Sequence, residues 1–401
     1  MAHAKPFSYE GSFAKGTPPA RPRGAVRRGK YDFAVAYPDP ASVPLDGLLE
    51  SLKGALDDEG RDLAVYPHQQ GYPPLREYIA QKLAETRDIH VSPDDIVLAD
   101  GSSQPIHMVC EALLDPGDVV LTDDFVYSGT LGTLRRFQAD IRGVPCDDQG
   151  MEPDALESVI KKAVSEGRRP KFMYLIPTFQ NPQGWETPLE RRQAIVGLSQ
   201  RYDVPILEDD CYVDLRYEGE PVTSMHALDS TGRVMYVASF SKIIAPGMRL
   251  GYLTAPPEVL DRVITIKSGG GANQFTALAI HRFSTQLDDH IDEVNDIQRV
   301  KRDAMVAALG ENFGSEATWS NPPGALFVWL QMAEDADLVS IRGNVLDIYD
   351  VGYNPGPLFA PDAASGRNRA RLCFGYNTPD EIREGISRLA QAFEQEGVLK
   401  A

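Results

Sequence analysis

Between Ser239 and Gly251 the chain reads Ser-Phe-Ser-Lys-Ile-Ile-Ala-Pro-Gly-Met-Arg-Leu-Gly, placing one lysine, two hydroxyls and one arginine within eleven residues. The Pro246-Gly247 pair bends the backbone between them. A lysine among small hydroxyl donors, with a fixed cation seven positions on, suits a carbonyl cofactor that carries a phosphate. Lys242 is the group to form the Schiff base with that carbonyl, while Ser239, Ser241 and Arg249 bind phosphate oxygens. Arginine suits the task because its planar fork pairs with two oxygens and stays charged.

Other segments offer complementary chemistry. Asp209 and Tyr212 follow an apolar run in the order Glu-Asp-Asp-Cys-Tyr. An aspartate at a buried strand end can pair with a protonated pyridine nitrogen and keep the ring an electron sink. A tyrosine three residues later can turn back toward the same ring. The adjacent Asp210 should leave the strand on the opposite face. Gly101-Ser102-Ser103 closes a strand and opens a helix, so its exposed N–H groups and the helix dipole favour an anion there. Ser102 can also cap that helix.

The elements that position these residues alternate in type. Strands are expected over 95–100, 118–122, 171–176, 204–208 and 234–238. Helical patterns fall at 104–114, 131–138 and 188–202. Such alternation predicts an α/β chain with a mostly parallel sheet covered on both faces, whose ligands sit at the carboxyl ends of the strands. Beyond Asp288 come a charged helix at 290–309, strands at 325–330 and 370–374 and a final helix at 379–396. Those fit a smaller α+β domain.

The lysine segment resembles that of class I/II pyridoxal-phosphate aminotransferases, in the branch with the 2-aminoadipate and kynurenine enzymes. It is also similar to the aminotransferase-like half of MocR-type regulators. The resemblance implies a PLP-transferase of fold type I, with a seven-stranded sheet in the large domain and pyridoxal 5'-phosphate on Lys242. It further implies a large domain at 48–285, a small domain built from 31–47 and 286–401, and a flexible basic arm at 1–30. Asn181, in Gln180-Asn-Pro-Gln-Gly184, matches the family's Asn-Pro-x-Gly element, whose amide donates to the cofactor's 3' oxygen. Tyr127 matches the aromatic that stacks on the ring, and Arg371 the arginine that clamps the substrate α-carboxylate. Ser102 and Ser103 fall at the phosphate, although many relatives carry Gln where Ser103 stands. Tyr66 resembles a tyrosine that reaches the phosphate of a neighbouring subunit, which implies a homodimer with composite sites. Where relatives have Gly-Gly in the substrate loop this chain has Val35-Ala36, so Ala36 is a substrate-side candidate, and a later Gly-Gly reads Gly324-Ala325. The implied reaction moves an amino group from an L-amino acid to a 2-oxo acid. Elimination, decarboxylation or oxidation share the same start, and a ligand-sensing module is the alternative from another class.

Composition agrees with that picture. The 401 residues allow two domains, and 42% apolar with 8% aromatic content is that of a globular protein. A net charge of −18 argues against nucleic acid as partner. The first thirty residues are nonetheless basic, with Glu10 their lone acid, and should settle on the acidic body. Cys110, Cys146, Cys211 and Cys373 are widely spaced, which fits neither a disulfide frame nor a zinc site and points to a reducing cytoplasm. No apolar run reaches the length of a membrane span, and no metal site is expected.

Overall fold

Successive residues of the central strands enter two different cores, which is why those strands read as continuous apolar runs. The computed structural model describes residues 7–20, 23, 27–268 and 270–400. Phe172 and Tyr174 pack on one face of the sheet, whereas Met173 and Leu175 pack on the other. Val120 and Leu207 likewise oppose Val119, Leu121 and Ile206. Period-two alternation with helices on both sides leaves no face for water.

In spatial order the seven strands of this sheet are Ile96–Ala99, Gly251–Thr254, Val234–Ser239, Ile206–Asp209, Phe172–Leu175, Val119–Asp123 and Asp140–Val144. All pairs are parallel except those of Gly251–Thr254, which runs antiparallel to both neighbours. Two of these strands were not expected from the sequence. Asp140–Val144 is a half-exposed edge strand that lacks an apolar run. Gly251–Thr254 follows the lysine loop so closely that nothing separates it from the motif. The expected helices are Ser103–Leu113, Ser128–Arg136 and Leu189–Tyr202, shifted by a few residues at their ends.

A second sheet of four antiparallel strands is ordered Thr318–Trp319, Phe327–Gln331, Arg369–Cys373 and Asn354–Pro355. The helix Pro379–Gln395 covers it, opened by a reciprocal cap between Thr378 and Glu381. Tyr31 and Phe33 belong to this second core, and Tyr31–Asp32 pairs in parallel with Val351–Gly352. The helix Leu287–Phe313 joins the two bodies: Leu287, Ile291 and Val294 enter the large core, Met305, Leu309 and Phe313 the small one. At its basic start the chain touches acids of the second body, with Arg27 on Asp347 and Arg28 near Asp32. Lys5 and Arg21, two cations of the expected arm, lie outside the described residues.

Candidate active site

The antiparallel strand organises the lysine loop. Gly251 stands opposite both Ser239 and Ala99, so a chain leaving Val234–Ser239 must return alongside the end of Ile96–Ala99. Within the loop Ser239 Oγ donates to Leu250 O at 3.1 Å and lies 2.8 Å from Ser241 Oγ. A short turn at Pro246–Met248 leads to Arg249, held in the left-handed region at φ 51°. Arg249 Nη2 donates to Asp100 O at 2.7 Å, beside Gly101. Gly101 has φ 71°, and a Cβ there would lie 2.6 Å from that nitrogen. Gly101→Ala is therefore expected to push the guanidinium aside and weaken cofactor binding by about tenfold or more, read by fluorescence titration of the apoprotein.

Ser102 and Ser103 open the next helix. Ser102 takes the cap position with helical angles, φ −72° and ψ −24°, and its side chain makes no capping bond. The capping expectation is thus corrected, because a side-chain cap needs extended backbone at that position. Both serines line the cavity instead.

Strand alternation separates the two aspartates. Asp210 accepts from Arg87 at 2.6 Å and from Tyr236 Oη at 3.0 Å, in a buried ion pair behind the sheet. Asp209 faces the cavity, where burial pushes its carboxyl above the usual range. Its Oδ2 accepts from Tyr174 Oη at 2.6 Å, while its buried Oδ1 has no partner.

A polar chain crosses from one body to the other. Asn181 Nδ2 donates to Tyr212 Oη at 2.9 Å, and Arg371 Nη1 donates to Asn181 Oδ1 at 2.8 Å. Arg371 Nη2 donates to Ala34 O at 2.8 Å, and its buried Nε is without a partner. The rings of Phe359 and Phe327 flank the guanidinium, with centroids 4.8 and 5.7 Å away. Lys242 Nζ donates to Ala36 O at 2.7 Å. Burial lowers the Lys242 amine to about 8.

One cavity of about 160 Å³ collects Lys242, Asp209, Tyr212, Ser102, Ser103, Tyr127, Asn181, Ser239, Ser241, Arg249, Arg371 and Ala36. Tyr66 is not among them; it is 93% exposed. Val35, Ile176, Cys211 and Pro246 also line the space. Of these the sequence singled out Val35, in the Val35-Ala36 pair, and gave Ile176, Cys211 and Pro246 no role in the site. Ala325 sits at φ 65°, a conformation that favours glycine, and Tyr217 Oη donates to its carbonyl. Among the described residues no cluster of His, Cys, Asp or Glu could hold a metal ion, and no helix is long and apolar enough to cross a membrane.

Residues 38–389 match the family model for aminotransferase class I and II. The chain belongs to that family. It is 33% identical to an aromatic-amino-acid aminotransferase of Thermococcus litoralis, over 91% of this chain and 88% of that one. The structure superposes on a multiple substrate aminotransferase from Thermococcus profundus with a TM-score of 0.91 and 28% identity, covering 98% and 99% of the two chains. An α-aminoadipate aminotransferase from Thermus thermophilus, complexed with N-(5'-phosphopyridoxyl)-L-leucine, gives 0.89 at 28% identity, covering 97% and 99%.

The enzyme is thus a fold type I, pyridoxal-phosphate-dependent aminotransferase, and its cavity fits that cofactor on three independent grounds. The open acceptor of Asp209 suits a ring N–H. The bare Gly101 lets the Arg249 guanidinium lie against the Gly101-Ser102-Ser103 turn, a cation beside hydroxyls that suits a phosphate. The half-buried Lys242 is desolvated enough for a sizeable fraction of its amine to be neutral near pH 8.

Proposed function

We propose that the aminotransferase takes an L-amino acid with an apolar or aromatic side chain as donor and a 2-oxo acid as acceptor, with Lys242 as both anchor and proton carrier. The observation that carries this is the distribution of cations. Among the residues lining the cavity the cations are Lys242, Arg249 and Arg371. Lys242 is needed for the cofactor aldehyde, Arg249 for the phosphate and Arg371 for the substrate α-carboxylate. Among the described lining residues of one chain none is left for a side-chain carboxylate, while Val35 and Ile176 offer apolar surface.

Bound pyridoxal phosphate supplies an aldehyde that receives the amino group and a protonated ring that draws electrons from the substrate Cα. Ser102, Ser103, Ser239, Ser241 and Arg249 would hold the phosphate, with Tyr127 against the ring. Asp209 would hold the ring nitrogen, and Asn181 and Tyr212 the phenolic oxygen. Arg371 grips the α-carboxylate through its planar fork and so sets the direction of the Cα–H bond. Lys242 Nζ takes that proton as a base and returns it as an acid. Ala36 O, which now accepts from Nζ, borders the substrate side of the lysine.

In this reading 48–285 forms the large domain and 31–47 with 286–401 the small one. The packing of Tyr31 and Phe33 in the second core supports that division. The active unit is a homodimer in the cytoplasm. Exposed Leu45, Leu49, Val65, Tyr66 and Phe275 give it an apolar face to bury, and Tyr66 would reach the other site from there. The four free cysteines fit a reducing compartment.

A panel of amino acids, scored by loss of the bound cofactor's absorbance, tests the substrate reading. Aromatic and large aliphatic donors should react at least about tenfold faster than aspartate or glutamate, in line with one unpaired buried charge. An acidic donor that reacts best would reject it. Sedimentation of the same holoenzyme should give twice the chain mass.

A further inference from the structure

The Asp209 carboxylate is held from behind by a phenol that an apolar strand conceals in the sequence. Tyr174 belongs to the Phe172–Leu175 strand and is fully buried. Its strand runs parallel to Ile206–Asp209, with Tyr174 opposite Leu207. Leu207 and Asp209 lie two residues apart and share a face, so the phenol reaches the carboxylate across one strand step. The Tyr174 Oη to Asp209 Oδ2 distance of 2.6 Å is that of a short, charge-assisted hydrogen bond.

That bond opposes a considerable cost. Asp209 is almost completely buried, and among the described residues no cation forms an ion pair with it. Behind the sheet, Arg87 is committed to Asp210. Burial therefore raises the Asp209 carboxyl, and the charge of Asp210 adds to the rise, while the donors Tyr174 and Cys211 work against it. Tyr174 keeps its own proton, because burial and the facing carboxylate push its phenol well above the ordinary range.

We propose that Tyr174 is a positioning residue for the transamination: its hydrogen bond keeps Asp209 ionised and turns the free Oδ1 toward the cofactor's ring nitrogen. The proposal rests on Asp209 facing that nitrogen, as argued above. Tyr174 does not line the cavity and acts only through Asp209. Losing the phenol lets the carboxyl take up a proton, so the shared proton moves from the ring nitrogen to the aspartate.

The test uses holoenzyme loaded with cofactor labelled with nitrogen-15 in the ring, read by NMR across pH. In the parent enzyme the nitrogen should be protonated at neutral pH. In Tyr174→Phe its signal should move to the unprotonated position, with kcat lowered about ten- to a hundredfold and the amino-acid KM changed less than about twofold. A signal that stays protonated, with kcat within about twofold of the parent, overturns the proposal. Asp209→Asn separates the two levels. If it leaves the nitrogen signal unmoved, the placement of Asp209 itself fails; if it moves the signal and Tyr174→Phe does not, only the role of Tyr174 fails. Should Tyr174→Phe not fold, fluorinated tyrosines placed at 174 decide instead. A more acidic phenol is a better donor and should move the shared proton further toward the ring nitrogen at neutral pH, and a nitrogen-15 signal indifferent to fluorine rejects the role.

Discussion

Lys242→Ala enzyme is expected to lose turnover by a factor on the order of 10⁴, measured in single-turnover reactions with donor and acceptor. It should also give no covalent adduct after borohydride reduction, whereas the parent yields one on the peptide that contains Lys242. The size of the effect follows from the two tasks proposed for one nitrogen: anchoring the cofactor and carrying the substrate proton. Binding can survive through Arg249 and the serines, so the variant should still take up cofactor by weaker, non-covalent contacts. Wild-type turnover in Lys242→Ala would sink the assignment.

The same nitrogen sets a pH dependence. Burial pulls the Lys242 amine down to about 8, and only the neutral amine attacks an aldehyde. Covalent capture of the cofactor by the apoprotein should therefore rise with pH through about 8 and level off above it. An ordinary lysine would still be climbing toward pH 10. A midpoint near 10 in stopped-flow absorbance would show that the Lys242 amine is not desolvated in the cavity.

Arg371 carries the second large effect. Arg371→Met should lower kcat/KM on the order of a hundred- to a thousandfold, mostly through KM, because the α-carboxylate loses a paired, charge-assisted contact in a buried site. Arg371→Lys keeps the charge but not the fork, and should recover about tenfold at most. The structure adds a reason for the poor rescue. Arg371 is wedged between Phe359 and Phe327 and tied to Asn181 and Ala34, a planar fit that an ammonium cannot copy. If Arg371→Lys equals the parent, the carboxylate is held elsewhere.

Much of this site could be read in the sequence because its chemistry sits in short motifs. Lys242 and Arg249 share one loop, and Asp209 and Tyr212 share another, so their residue types stand close together in the text. The parallel sheet was legible for a related reason: strands buried on both faces must be apolar throughout. Elements lacking that signature escaped. The Asp140–Val144 edge strand is half wet, and Gly251–Thr254 merges with the motif before it. Tyr174 escaped for the opposite cause, since an aromatic inside a strand reads as core.

Residue order alone determined which side chains were available: a lysine, an aspartate at a strand end, serines with an arginine in one loop and a second arginine far along the chain, among alternating strands and helices. Only the tertiary structure decided which of them meet. Arg371 reaches Asn181 across 190 residues, and Lys242 reaches Ala36 across 206. It also decided which oxygen of Asp209 is open, and how far burial lowers the Lys242 amine. Desolvation and hydrogen bonding depend on what surrounds an atom in space, and neighbours brought from distant strands leave no local mark in the sequence.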